Sequence, residues 1–425
     1  MPTQWRFFIT SGLGLSLALV GVVFRLAPFL VLSIPAFVYS GALLVSLLLL
    51  PDPSVEIVRR FDRVRFSEGD AVLAKLAFRS QGAPSAFVGI CDVLPSGVAV
   101  VDGETSYLGD LAGPSSEITY SIKATRGEYG LAPIRLTVWS RFGMAMRQSV
   151  GELPETLRCV PKVEPLPRIP IHPRRTRAFA GPVRANIGGT GMDFFGSRAY
   201  VPGDDVRRIN WRAYALRDEL VVTEFEQERI ADVNLILDAR ARAHTQVGDS
   251  FTFDHATQAT ASLASHFIEQ GNNVGLLIYG DYLNWVFPAL GRGQTERILD
   301  ALSHANIADK KAFEDLRQIP ARLFPAHSQL VLVSPLVGES DVEILALLRA
   351  RGYSLMLVCP DSLPLERRAH PESTASKLAT RILRLERAIF LESLAQFGVK
   401  VVDWPLDEPL AVAVQQVTRR RGESR

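Results

Sequence analysis

Residues 193–238 are DFFGSRAYVPGDDVRRINWRAYALRDELVVTEFEQERIADVNLILD, and this stretch decides the architecture of the second half of the chain. It contains the turn Pro202-Gly203-Asp204-Asp205, in which proline fixes φ, glycine accepts positive φ and aspartate bonds nearby backbone amides. It ends with a mainly apolar run, 233–237, followed by Asp238. Open α/β sheets bind ligands at the carboxyl ends of their strands, so Asp238 marks a candidate site at a sheet edge.

The same stretch resembles the signature of a bacterial and archaeal membrane-protein family catalogued as domain of unknown function number fifty-eight. The resemblance is carried by residues at fixed spacing, namely Gly191, Asp193, Phe194, Arg198, Tyr200, Pro202, Gly203, Asp204, Asp205, Arg207, Ile209 and Trp211. It implies a von Willebrand factor A-like domain. It also implies a MoxR-type AAA+ ATPase as partner, because proteins of this family are typically encoded beside one.

Composition and motifs exclude several classes of protein. The chain has 425 residues and a formal net charge of +2, so no overall field selects nucleic acid or an acidic partner. Its cysteines, Cys91, Cys159 and Cys359, have no paired spacing, which favours buried thiols over disulfides or zinc ligands. The metalloprotease, serine hydrolase, nucleotide-binding and thiol-redox motifs do not occur, so we expect no cofactor and no nucleic-acid partner.

Residues 1–51 predict a two-helix transmembrane hairpin. Two apolar runs, 7–24 and 26–50, are separated by Arg25, and each reaches the roughly 18 residues that a membrane span requires. The alternative is a signal peptide followed by one span. We favour the hairpin, because no small-residue cleavage site follows the first run.

Basic residues near the ends of the two spans predict the orientation. They are Arg6 before the first span, Arg25 between the spans, and Arg59, Arg60, Arg63 and Arg65 after the second. Basic residues favour the cytoplasmic side of a membrane. We therefore expect a two-pass protein of the inner membrane with both ends, and all soluble domains, in the cytoplasm.

Three further segments follow the hairpin. Residues 52–163 contain short alternating runs broken by Gly, Pro and Ser, which predict an antiparallel β-sandwich. Residues 164–192 are rich in Pro, Arg and Gly and predict a linker. Residues 193–425 comprise the signature and a series of apolar strands that alternate with helical stretches. This alternation predicts parallel βαβ units in a doubly wound, Rossmann-like sheet, so the chain combines a β and an α/β fold class.

The candidate residues at the sheet edge are Asp238, Arg240, Arg242, Thr295 and Ser334. The fold that the resemblance implies often binds a divalent ion there, through an Asp-x-Ser-x-Ser first loop, a threonine and a second aspartate. Here Arg240 and Arg242 replace both serines, and Asp238 and Thr295 are the plausible ligands that remain. Because two guanidiniums repel a cation, we expect no metal. The alternatives are an Asp238–arginine salt bridge and an arginine site for an acidic group of a partner.

The candidate residues in the signature are Arg198, Tyr200, Asp204, Asp205, Arg207, Arg208 and Trp211. Paired carboxylates such as Asp204 and Asp205 support acid/base catalysis when their pKa values are pushed apart. Adjacent acids in a turn flanked by arginines are instead expected to stay ionised and hydrogen-bonded. We therefore expect Asp204 to order the turn, Arg207 to bond a carbonyl or carboxylate, and Trp211 to bury its ring. This arrangement favours a scaffold or partner surface over catalysis.

A helix predicted over 374–397 carries Lys377, Arg381, Arg384 and Arg387 at steps of three and four residues. This basic stripe is typical of a solvated face, and the alternative is a surface for an acidic protein or an anionic membrane.

Together these features predict a non-enzymatic, membrane-anchored adaptor that works with the MoxR-type AAA+ ATPase in assembly or quality control of envelope or metalloenzyme complexes. One alternative is a metal-assisted hydrolase that uses Asp238 and Thr295, or Asp204 and Asp205. Another is a structural membrane protein that self-assembles through its sandwich. The expected partners are therefore the ATPase, membrane lipid around the hairpin and, in the last alternative, further copies of the chain.

Overall fold

The computed structural model describes residues 3–48, 55–80, 87–110, 116–140, 143, 145–151, 155–169, 171, 183–217, 219–247, 250–280, 283–307, 324–336, 339–369 and 373–420. The chain divides into two compact units, Met1–Val160 and Pro161–Arg425.

The first unit begins with two apolar helices, α1 (Thr3–Val23) and α2 (Ala27–Leu48). They pack closely, because a Cβ on Gly21 would come within 2.7 Å of the Leu30 side chain. Both are long and apolar enough to cross a membrane. The predicted pair of long apolar helices is thus confirmed.

The rest of the first unit is built of strands. They are β1 (Val55–Phe61), β2 (Arg65–Ser67), β3 (Val72–Ser80), β4 (Phe87–Cys91), β5 (Val98–Gly103), β6 (Ser106–Asp110), β7 (Ser116–Ala124), β8 (Gly127–Gly130), β9 (Ile134–Trp139), β10 (Met146–Gly151) and β11 (Thr156–Val160). Two antiparallel sheets, in the orders β1-β3-β7-β5 and β10-β9-β4-β6, contribute to one core. A third sheet, β2-β11-β8, pairs β2 and β11 in parallel. In β3, Val72, Ala74, Leu76 and Phe78 are buried and the residues between them are exposed, as a half-buried strand requires.

The second unit alternates strands and helices. Its elements are β12 (Val183–Ala199), α3 (Trp211–Arg217), β13 (Val221–Arg229), β14 (Asp232–Asp238), β15 (Gln246–Val247), β16 (Ser250–Phe251), α4 (Thr252–Glu269), β17 (Asn273–Tyr279), β18 (Leu283–Ala289), α5 (Arg292–Ser303), β19 (Gln329–Val333), α6 (Glu339–Ala350), β20 (Ser354–Asp361), α7 (Leu363–Ala369), α8 (Thr374–Gln396), β21 (Lys400–Pro405) and α9 (Leu410–Arg420).

A six-stranded sheet in the order β18-β17-β14-β19-β20-β21 forms the centre of the second unit. Neighbouring strands are parallel, except that β18 runs antiparallel to β17. Leu235 lies in a core that includes α4 residues, whereas Ile236 lies in a second core that includes α6 residues. Helices therefore cover both faces, which explains why the central strands are nearly continuous apolar runs. This is the mixed α/β, doubly wound arrangement that the sequence predicts.

The segment predicted as a linker, 164–192, precedes the sheet. Ile169 and Ile171 are buried in the same core as Leu235, while residues 170 and 172–182 lie outside the described part of the chain. From Val183 the chain forms β12, which pairs antiparallel with β13. This two-stranded ribbon carries the signature turn between its strands and leads directly into β14.

Candidate functional site

Asp238 ends β14 at the point where the order of the sheet reverses. The chain passes from β14 to β17 on one side and later to β19 on the other. Connections that leave a strand in opposite directions open a crevice at its carboxyl end, where open α/β sheets bind ligands. The Asp238 side chain is fully buried there, so its charge requires a partner.

Arg240 is that partner. Its Nε lies 2.9 Å from Oδ1 of Asp238, and its Nη2 lies 2.7 Å from Oδ2. On its other side, Nη1 and Nη2 lie 3.2 and 3.1 Å from the carboxylate oxygens of Asp341. Ser334 donates its hydroxyl to Oδ2 of Asp238 at 2.6 Å. We call these four buried residues, Asp238, Arg240, Ser334 and Asp341, the sheet-edge cluster.

The sheet-edge cluster places a guanidinium between two carboxylates that would otherwise face a cation. Burial on its own would lower the pKa of Arg240, but the hydrogen bonds and charges of Asp238 and Asp341 more than offset it and raise that pKa. One interpretation of this edge was a salt bridge between Asp238 and an arginine. The structure contains that salt bridge, and the arginine is Arg240. Within the described ranges, no group of three or more His, Cys, Asp or Glu side chains is arranged to hold a metal ion.

Asp341 is the member of the cluster that the sequence analysis missed. It lies near the start of α6 and is 101 residues away from Arg240 along the chain. The available signal was an acidic residue in the first turn of a predicted helix, where the helix dipole favours a negative charge. That signal is common, and by itself it does not indicate which sheet edge the acid faces.

Arg242 and Thr295 do not join the cluster. Arg242 is exposed in the short helical turn after β14. Thr295 lies in the first turn of α5, next to Gln294, which donates to the carbonyl of Val274 at the amino end of β17. That end is about 17 Å from the edge that carries Asp238. The prediction that Thr295 supplies an oxygen beside Asp238 is wrong, because the antiparallel β18 returns the chain to the opposite edge.

His244 packs against the cluster from the side of α4. Its Nε2 lies 2.6 Å from the backbone carbonyl of Asp238, and its Nδ1 lies 3.3 Å from the hydroxyl of Thr252. Because a carbonyl only accepts hydrogen bonds, Nε2 carries the proton. Burial lowers the pKa of His244, which favours the neutral ring.

We expect the α/β unit to lose stability as the pH falls below 6.5, the ordinary histidine pKa, because burial lowers the pKa of His244, His255 and His266. Between the folded pKa values and 6.5 the unfolded chain binds more protons than the folded one. The stability contributed by the neutral rings is thus complete above that window and is lost within it, by up to about 1.4 kcal/mol per pH unit for each proton.

Denaturant unfolding between about pH 7.5 and pH 5 measures this dependence. His244→Gln should flatten the pH profile, whereas His304→Gln, which alters an exposed ring, should leave it unchanged. Equal pH profiles for wild type and His244→Gln would contradict the conclusion that His244 is buried in its neutral form and contributes to the pH dependence of stability.

Arg198 organises the signature turn. Its Nη1 and Nη2 each lie 2.7 Å from a carboxylate oxygen of Asp204, and its Nε lies 2.8 Å from Glu224 on β13. Asp204 also accepts from the backbone N–H of Val201 at 2.9 Å. The hydrogen bonds from Arg198 and then Val201 lower the pKa of Asp204 to about 2. Asp204 therefore stays ionised and orders the turn, as expected.

Asp205 has a separate role. Its side chain accepts from the backbone N–H of Arg207 at 3.0 Å and caps the short helical turn Val206–Arg208. Gly203 adopts a φ of +112° just before the two acids, a conformation that favours glycine. The two carboxylates are therefore held by separate hydrogen bonds, that of Asp204 by Arg198 and Val201 and that of Asp205 by Arg207.

The remaining signature residues differ in burial. Trp211 is 57% exposed, so the expectation that it buries its ring is wrong. Trp211 is the first residue of α3. The side chain of Asn210 caps this helix by accepting a hydrogen bond from the N–H of Ala213 at 3.1 Å, so the helix can begin here without the Trp211 ring being packed. Arg207 is exposed, and none of the described residues provides the carbonyl or carboxylate expected for its guanidinium. Tyr200 and Arg208 are half-buried.

Large apolar side chains are exposed throughout the segment between β12 and β13. We call them the apolar rim, and they are Val201, Val206, Trp211, Tyr214, Leu216 and Leu220. Their exposed fractions range from 38% for Tyr214 to 79% for Leu216. Exposed apolar patches with polar surroundings mark contact sites for other proteins. This end of the ribbon therefore combines a fixed, charged turn with an apolar surface.

Comparison with known proteins finds a family and a relative of undescribed activity. Residues 196–358, from within β12 to within β20, match the family described as "Protein of unknown function DUF58". The "Uncharacterized protein YeaD" of Bacillus subtilis (strain 168) is 23% identical over 287 residues, which is 65% of this chain and 68% of that protein. Among solved structures, native alpha-2-macroglobulin from Escherichia coli, spanning domain MG7 to the C-terminus, is 14% identical with a TM-score of 0.19. That match covers 26% of this chain and 24% of the macroglobulin chain.

Proposed function

We propose that this protein is a membrane-anchored adaptor for a MoxR-type AAA+ ATPase and not an enzyme. The observation that carries the proposal is the position of Arg240, whose guanidinium lies between Asp238 and Asp341. A catalytic or metal site at this edge would need that position for its substrate or ion. Displacing the guanidinium would leave two buried carboxylates without a counter-charge. A salt bridge at the carboxyl edge of the sheet, where such folds usually bind ligands, favours a structural role for this edge. The α/β unit would then act by binding another protein through a different surface.

We also propose that the α/β unit is von Willebrand factor A-like. Its strand order places the first strand, β14, in the centre and an antiparallel strand, β18, at one edge. An aspartate ends that first strand, as in the ion-binding loop of the fold. In this proposal Arg240 takes the place that the ion has in other members of the fold.

The proposed location is the inner membrane, with the soluble units in the cytoplasm. This rests on two helices of suitable length and on the distribution of basic residues. Arg59 is buried within the sandwich, so the orientation depends on Arg6, Arg60, Arg63 and Arg65 outnumbering Arg25. An anchored adaptor of this kind would bring the ATPase to envelope or metalloenzyme complexes as they are assembled or repaired.

The apolar rim is the proposed docking surface for the ATPase. Tryptophan and tyrosine are enriched among the residues that dominate protein interfaces, and Trp211 and Tyr214 contact each other edge to face at 6.3 Å. The ion pair between Arg198 and Asp204 holds the adjoining turn in place. A surface that is already ordered loses less conformational entropy on binding, which increases affinity.

Trp211→Ala is expected to weaken binding of the purified ATPase by about tenfold to a hundredfold, as loss of a central aromatic at an interface does. The ring is 57% exposed, so the substitution should leave the fold intact. The measurement is a titration of full-length protein in lipid nanodiscs with the ATPase, with ATP and without it.

Two variants separate the docking surface from the scaffold. Phe287→Ala removes another exposed aromatic, 71% exposed on β18, and should bind like wild type. Asp204→Ala removes the partner of Arg198 and should weaken binding through a looser turn. Equal affinity of Trp211→Ala and wild type would show that the rim is not the docking surface. Absence of binding under every nucleotide condition would refute the adaptor proposal.

A further inference from the structure

Among the described residues, the side chains of helix α8 that are buried lie near its carboxyl end. The helix has 23 residues, and these buried side chains are Leu391 and Leu394. Arg387 fixes the same end, because its Nη2 lies 2.7 Å from Asp403 and 2.9 Å from the carbonyl of Cys359. The preceding residues, 374–386, are exposed or half-buried. The basic stripe predicted on this helix therefore does not act as one surface, since Arg387 faces the sheet.

The exposed part of α8 carries a narrow apolar stripe at a spacing of four, three and four residues. Its members are Leu378, Ile382, Leu385 and Ile389, with exposed fractions of 60%, 48%, 56% and 68%. Leu383 is also 48% exposed and lies outside the stripe, about 100° from Ile382 around the helix. At about 100° per residue they fall within roughly 60° of one another and point away from Leu391 and Leu394. All four side chains are about half exposed or more within the described part of the chain, although apolar side chains on a surface helix normally face a core.

The stripe has the residue types of a two-stranded parallel coiled coil. Ile382 and Ile389 occupy a positions and Leu378 and Leu385 occupy d positions, which is the combination that favours two strands. Arg381 is then at a g position and Glu386 at the following e position, and both are exposed. In a parallel pair in register, Arg381 of one copy faces Glu386 of the other.

We propose that two copies of this protein associate through residues 375–389 of α8, as a parallel coiled coil about a two-fold axis. The parallel arrangement rests on the proposed membrane location, because copies inserted in one membrane share the same sidedness and a two-fold axis along the membrane normal preserves it. Confinement to a membrane also raises their effective concentration, which favours association through a short seam. An anionic lipid surface fits less well, because Glu386 and Glu392 flank the stripe. The proposal does not depend on the ATPase.

Cysteine cross-linking in native membranes tests the pairing. Full-length protein carrying Leu385→Cys is expected to form a disulfide-linked dimer on mild oxidation, because d positions face each other across the seam. Arg384→Cys, one residue away and also exposed, is the matched control and should cross-link at the level of wild type with its native cysteines. Equal cross-linking at the two positions would overturn the proposal.

Charge-reversal variants test whether the stripe contacts a second copy of the chain or a lipid surface. Arg381→Glu and Glu386→Arg should each reduce the cross-linked fraction of the Leu385→Cys protein by about threefold to tenfold, because like charges then face each other. The double variant should restore it. In anionic nanodiscs, the cysteine of the Leu385→Cys protein should be protected from a water-soluble thiol reagent. Each single charge reversal should lower this protection, and the double variant should restore it. If Arg381→Glu lowers the protection and Glu386→Arg raises it, the stripe contacts lipid and the dimer is refuted.

Discussion

Arg240→Ala is expected to lower the free energy of unfolding of the α/β unit by about 3–5 kcal/mol, as removal of one partner from a buried ion pair does. Asp238 and Asp341 would then both be buried, with side chains 0% and 1% exposed, and no counter-charge would lie between them. Hydrogen exchange of full-length protein in detergent measures the loss at the amides of β14 and β19, whose strands form the centre of the sheet. Arg242→Ala is the control, and removal of this exposed arginine should change stability by less than about 0.5 kcal/mol.

The same variant is expected to bind divalent cations more tightly than the wild type. Without the guanidinium, the carboxylate oxygens of Asp238 and Asp341 face one vacated position, and hard cations prefer such oxygens. Mg²⁺ or Mn²⁺ at about a hundred times its dissociation constant would restore about 2.7 kcal/mol. The gain should disappear when Asp341→Asn is added. Equal stabilisation of the wild type by either cation would instead favour the metal-assisted hydrolase.

Much of the α/β unit could be predicted because its strands are buried on both faces. The run 233–237 and the later strands are apolar segments of strand length, separated by helical stretches. The ribbon was not predicted. Strand β12 contains Gly188, Gly189, Gly191 and Gly196, and glycine has low strand propensity, so the backbone pairing with β13 has no periodic signal.

The site was predictable only where the contacts are local. Arg240 and Asp238 are two residues apart in the sequence and carry opposite charges, and this short spacing is enough to predict that they pair. Asp341 is 101 residues from Arg240 in the sequence and comes close to it only in the folded chain, so no local sequence pattern predicts the contact. The exposure of Trp211 was missed for a different reason. Tryptophan is usually well buried, and a short sequence does not show whether the missing contacts belong to this chain or to another.

The first unit contains a second buried ion pair. Nη2 of Arg59 lies 2.6 Å from Oδ1 of Asp92, and the side chains of both residues are 0% exposed. The hydroxyl of Tyr120 donates to the other carboxylate oxygen at 2.5 Å, and burial followed by this hydrogen bond raises the pKa of Tyr120. Nε and Nη1 of Arg59 have no hydrogen-bond partner among the described residues. Asp92 is thus the main compensation for this buried charge.

Asp92→Asn is therefore expected to lower the stability of the sandwich by about 3–5 kcal/mol, although it changes the side-chain volume very little. Thermal unfolding of the full-length protein measures the loss. Glu117→Gln, which breaks the exposed pair with Lys75, should have an effect of at most about 1 kcal/mol. Because the loss reflects an uncompensated charge, the double variant Arg59→Met/Asp92→Leu should recover most of it. A double variant as unstable as Asp92→Asn would show that shape, and not charge, dominates this core.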